Sequence, residues 1–200
     1  MSFTTLYAEL VVVGTGAMTC VLLFFYAFFG DSSWFSRLKG LSLTDVAALI
    51  PVLSVIYLLG IVIANISYLL FAPIEKRLQR DNLKEFAEKY QEIRNELYTA
   101  SNTKDLVEEF EFRRSKVRIC RGWFVNCLLI IVALATCSFE QKIRCPVALF
   151  WILCTGLLMI GTAISWWTAT TTELEWFSQY ARKLTRIASV KETTSAPVCF

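Results

Sequence analysis

The densest charge cluster in the chain is Arg113-Arg114-Ser115-Lys116-Val117-Arg118-Ile119-Cys120-Arg121, which ends where an uncharged apolar run begins at Gly122. Cations in that position attract anionic lipid headgroups, each contributing about 1 kcal/mol near the surface. Arg113, Arg114, Lys116, Arg118 and Arg121 also have the chemistry to hold an anionic ligand such as a nucleotide second messenger. Nucleic acid is disfavoured as a partner of this chain alone. Glu108, Glu109 and Glu111 stand directly before the run and oppose phosphate.

Asn65 and Asn126 are carboxamides inside otherwise apolar runs. In a spanning helix such a group lines a path, bonds across subunits, or closes a hydrogen bond to a neighbouring helix of the same chain. The last is favoured. Ionisable groups of the kind that proton relays and coupled transporters use are missing from the interior of these runs, with Glu9 and Asp45 standing at their edges.

Enzymatic chemistry finds little support. The chain has 7 Cys and 0 His, so the commonest general base and metal ligand is absent. None of the cysteines forms a C-x-x-C pair, the spacing that zinc sites without histidine usually use. Cys20, Cys127 and Cys154 lie inside apolar runs, where a thiol acts as a small apolar side chain. Cys137 and Cys145 flank a short polar loop and could pair in an oxidising compartment; otherwise they are two free thiols. Gly14-Thr15-Gly16 lacks the Gly-Lys-Ser/Thr of a phosphate loop and reads as a site of close helix packing, as do Gly60 and Ala64. No catalytic residue, cofactor or metal site is assigned, and the protein is expected not to be an enzyme.

The elements that carry these residues follow from four uncharged apolar stretches, at 10–29, 46–72, 122–139 and 147–167. Each is near or above the roughly 18–20 residues that a helix needs to cross a bilayer. A backbone in lipid must satisfy its own hydrogen bonds, so all four are expected to be helices. A hydrophobic content of 56% suits such a polytopic protein. The first run is longer than a signal-peptide core and no Lys or Arg precedes it, so it is expected to be retained. Of 20 Lys and Arg, four fall in the stretches 30–44 and 140–146, and the rest in the central segment and the tail. The positive-inside rule therefore predicts that the central segment and both termini are cytoplasmic.

The fold expected is thus all-α. It has four transmembrane helices in two hairpins, with a cytosolic antiparallel helical hairpin extending spans two and three. The corresponding segments are 1–72, 73–121, 122–170, and a C-terminal helix with an irregular tail over 171–200. Leu83, Phe86, Tyr90, Ile93 and Leu97 follow 3-4-3-4 spacing and form one helical stripe among charged residues. Thr99-Ala100-Ser101-Asn102-Thr103 predicts a turn, with Asn102 capping a second helix that carries Leu106, Phe110 and Val117. Pro73 predicts a kink or short break where span two meets the hairpin. After span four, 173–188 reads as helix with Trp176, Tyr180, Leu184 and Ile187 on one face, and the chain is expected to be irregular from Ser189. An echo between Ala64-Asn65-Ile66-Ser67-Tyr68 and Ala163-Ile164-Ser165-Trp166 would fit a duplicated hairpin.

In layout the chain resembles small four-span membrane components of bacterial anti-phage systems, such as the membrane subunit of the Kiwa system and four-span effectors of cyclic-nucleotide signalling. The resemblance is carried by short length, the segment 75–121 as the one sizeable element between spans, and absent enzymatic motifs. It implies a membrane sensor or a permeabilising effector in the bacterial inner membrane. The expected function is an oligomeric, non-enzymatic scaffold or sensor. It would contact membrane lipid and other copies of itself, and its stripe would dock a cytosolic protein. The alternative is a pore gated through the hairpin.

Overall fold

A computed structural model describes residues 3–29, 46–83, 104–140 and 145–194, with side chains placed over 6–28, 50–83, 108–140 and 146–182. These residues form four helices: α1 (Phe3–Phe29), α2 (Val46–Leu83), α3 (Lys104–Phe139) and α4 (Cys145–Thr194). Each contains a stretch long and apolar enough to cross a membrane. Helix is the one single-segment structure that satisfies its own backbone there.

Local signals account for the helix ends in part. Pro146 sits in the first turn of α4, where its missing N–H has no intrahelical acceptor to lose. At the end of α3 the Glu140 N–H donates to the Thr136 carbonyl at 3.0 Å and closes the last turn. Two expectations need correction. Of the kink or short break predicted at Pro73, the break does not occur, and α2 continues through it to Leu83. Spanning helices tolerate proline because neighbouring groups can satisfy the freed carbonyl. Nor does the chain become irregular at Ser189, since α4 runs to Thr194. Lys191 and Glu192 are good helix formers, and extending a nucleated helix costs little. The turn at 99–103 and the helix cap at Asn102 lie outside the described residues.

The chain divides into two compact units, Met1–Phe71 with Ser115–Trp167, and Ala72–Arg114 with Thr168–Phe200. The core of the first is Val13 and Ala17 of α1, Ile63 of α2 and Val125 of α3, flanked by Leu59 and Leu129. Glycines let these three helices approach closely. A Cβ at Gly14 would strike the Ile56 carbonyl, and one at Gly60 the Leu10 carbonyl, so α1 and α2 meet backbone to backbone. On the α3 side, a Cβ at Gly122 would lie 2.7 Å from Val13 Cγ1, and one at Gly16 would strike the Asn126 carboxamide. α1 is therefore shared between α2 and α3.

α4 is packed differently. Of its most apolar stretch 6% is buried, against 39% in α3. Ala148 and Trp166 are its buried apolar residues before Trp167, with the Trp166 ring 4.7 Å from that of Phe71. Gly156 and Gly161 have open space where a Cβ would stand. The echoed segments also differ in packing, because Tyr68 is exposed and Trp166 buried.

The second unit is built on aromatics. Phe110 of α3 and Phe177 of α4 are fully buried with ring centroids 6.4 Å apart. Trp176 stacks on Phe110 at 6.0 Å and on Tyr180 at 5.9 Å. Phe110, read from the sequence as carried by the second helix of the hairpin, packs here on the part of α4 beyond span four.

Candidate functional site

The two carboxamides occupy opposite environments. Asn126 is fully buried, and its Nδ2 donates to the Val13 carbonyl at 2.7 Å. The amide lies over Gly16, where any side chain would displace it. The neighbouring Cys20 thiol donates to the Asn126 carbonyl at 3.5 Å. Oδ1 accepts no hydrogen bond from a described residue. This is a clasp between α1 and α3 within one chain.

Asn65 instead is exposed on α2. The buried positions of that helix up to Phe71, namely Gly60, Ile63, Ser67 and Phe71, define one face, and Asn65 stands on the other with Leu58 and Leu69. At about 100° per residue it points some 150° away from the packed face. Its carboxamide has no hydrogen-bond partner among the described residues.

The cationic run is directed largely into contacts within the chain. Arg118 grips Glu9 of α1 with two bonds, Nε to Oε2 at 2.9 Å and Nη2 to Oε1 at 3.1 Å, and Glu9 is buried. Such fork-shaped pairs fix geometry as well as charge. Arg121 is buried, with its guanidinium 5.9 Å from the centre of the Tyr68 ring. In the second unit Arg113 bonds Glu109 at 2.6 Å and stands 6.0 Å over Trp176. Arg114 lies 3.9 Å from Glu173 and 5.6 Å over Phe110. Lys116 is exposed.

Of the stripe, Leu83 is buried at the end of α2, while Phe86, Tyr90, Ile93 and Leu97 lie outside the described residues. The Cys137 thiol is free and donates to the Leu23 carbonyl at 3.5 Å; the side chain of Cys145 lies outside the described set. Among the described residues, no group of His, Cys, Asp or Glu is arranged to hold a metal ion.

Sequence reasoning did not find the Glu9–Arg118 pair or Glu173 as a partner of Arg114. The first had a signal. Glu9 directly precedes the first apolar run and Arg118 nearly adjoins the start of the third, so each charge stands at the leading end of its run.

Four apolar spanning helices and a core closed by interhelical glycine contacts define an all-helical integral membrane protein. Compared with known proteins, the chain matches no protein-family model, no curated protein and no solved structure.

Proposed function

We propose that this protein is a non-enzymatic, oligomeric membrane scaffold or sensor that passes a state of its spanning helices to a cytosolic partner. The observation that carries this reading is continuity. α2, α3 and α4 each run without interruption from an apolar stretch into a charged one. A shift in such a helix on one side of the hydrocarbon boundary has no loop to absorb it. The positive-inside pattern supports cytoplasmic termini and a cytoplasmic segment between α2 and α3. The layout shared with anti-phage membrane components supports a bacterial inner membrane and a defence role. The stripe beyond buried Leu83, from Phe86 to Leu97, is the docking surface in this reading, and exposed Lys116 contacts anionic headgroups.

The alternative, a gated pore, draws on the exposed Asn65 carboxamide. Buried Asn126 gives it no support, because that side chain is spent on the α1–α3 clasp. Reconstitution in liposomes separates the two. The scaffold reading expects no dye leakage, and expects Phe86→Ala with Tyr90→Ala to lose a co-purifying protein that wild type retains. Leakage by the purified protein, abolished by Asn65→Leu, would establish the pore instead.

A further inference from the structure

Within one chain, the structure contains a complete carboxamide clasp and the two separated halves of another. In the complete one, Asn126 of α3 lies over Gly16 of α1 and donates to the carbonyl three residues earlier, Val13. First and third spans cross a membrane in the same direction, so this is a clasp between parallel helices. Second and fourth spans are parallel for the same reason. On α2 the exposed Asn65 has no partner among the described residues, and on α4 Gly161 is exposed with nothing within 4 Å of a Cβ.

The two halves stand at one level. The Phe71–Trp166 contact, 4.7 Å between ring centres, fixes the register of α2 against α4. Asn65 precedes Phe71 by six positions and Gly161 precedes Trp166 by five, which at ~1.5 Å per residue puts both ~7–9 Å from that contact. Both also point away from their own packed faces. On α4 the buried positions Ala148 and Trp166 share a face, and Gly161 lies opposite them between exposed Leu157 and Ile164.

Lipid tails offer the Asn65 amide nothing. It sits ~10 Å inside the end of its apolar run, too deep for a short side chain to reach the headgroups. An unsatisfied amide there is costly, and an outside donor or acceptor removes that cost. Glycine is the least favourable residue for a helix interior apart from proline. In α1, α2 and α3 the chain uses it where another helix crowds in, and at Gly161 no described residue does.

We propose that a second copy of this chain completes the clasp: Asn65 of one protomer seats over Gly161 of the next and donates to the Leu158 carbonyl. The partial charges are complementary, since amide N–H meets carbonyl oxygen, and that oxygen retains a lone pair beyond its helical bond. The contact is head to tail, so each protomer offers one half to each neighbour, and the assembly closes as a ring where the rotation between neighbours divides a full turn. This deepens the oligomeric element of the scaffold reading and holds whether or not a cytosolic partner docks.

The test is oxidative cross-linking in membranes between differently tagged copies, one carrying Asn65→Cys and the other Gly161→Cys, with wild type as background. The expected result is a two-chain species bearing both tags, and no equivalent species from Asn65→Cys copies alone. Cross-linking of Asn65→Cys to itself would overturn the head-to-tail contact in favour of a two-fold one. Asn65→Leu should weaken self-association in micelles roughly tenfold while leaving helicity intact. An unchanged assembly in both Asn65→Leu and Gly161→Leu would overturn the proposal. Loss of partner capture with the cross-link preserved would instead count against the scaffold reading alone.

Discussion

The seam between α1 and its neighbours and the outer face of α4 are both made of apolar residues and glycine, yet they are in different states. At the seam, Gly14, Gly16, Gly60 and Gly122 each stand where a side chain would strike the next helix. On α4, Gly156 and Gly161 meet nothing among the described residues, and Leu153, Leu157 and Ile164 are all exposed. Lipid is as apolar as leucine, so burial alone gives helices in a membrane little reason to associate. Close approach and polar contacts must do it. The seam has both, through backbone contact, the Asn126 clasp and the Glu9–Arg118 pair. The difference teaches that composition does not distinguish a finished face from an open one; the space around each glycine does.

Substitutions can break this contrast. The largest effect is expected from Gly60→Leu, which drives a side chain into the Leu10 carbonyl. Neither backbone can yield locally, so the loss should be about 3 kcal/mol, read as a shift in unfolding midpoint in mixed micelles. Next comes Arg118→Ala, which strands buried Glu9. Breaking such a pair costs about 3–5 kcal/mol when fully buried, and with Arg118 30% exposed we expect about 2 kcal/mol. Recovery in the double variant Glu9→Gln with Arg118→Ala would tie the cost to the stranded carboxylate. Asn126→Leu removes one hydrogen bond but also an unpartnered Oδ1, so stability should fall by about 1 kcal/mol or less. Smallest, and of opposite sign, is Gly161→Ala. The dispersed protomer should gain about 0.5 kcal/mol from helix propensity. Self-association measured by analytical ultracentrifugation should weaken in the same variant, whereas Gly14→Ala should destabilise the protomer itself.

Much of the fold was legible because its determinants are local. A run without charge, of sufficient length, must be helix in lipid whatever surrounds it, and all four expected runs are found within α1–α4. Gly14, Gly16 and Gly60 were legible as packing positions for a similar reason, since small residues in a span have few other uses. What escaped the sequence depends on which way a residue faces. Asn65 and Asn126 read alike, because a carboxamide in an apolar run carries no sign of direction. Their separation into an open and a closed group needed the packed faces of α2 and α3. The partners of Arg114 and Phe110 on α4 were hidden by sequence distance. The cationic run showed as charge, and its carboxylate partners Glu9, Glu109 and Glu173 emerged only with the helices in place.

The sharing of α1 between α2 and α3 has a consequence for biogenesis. α1 is made before the two helices that close on it, through Gly14 and Gly16 in succession. Span two can lock as soon as it enters the bilayer, and span three adds the carboxamide and the ion pair. By the time span four is synthesised its predecessors have a completed template. α4, whose most apolar stretch is 6% buried against 39% in α3, has the least to wait for and can be fitted last of the four.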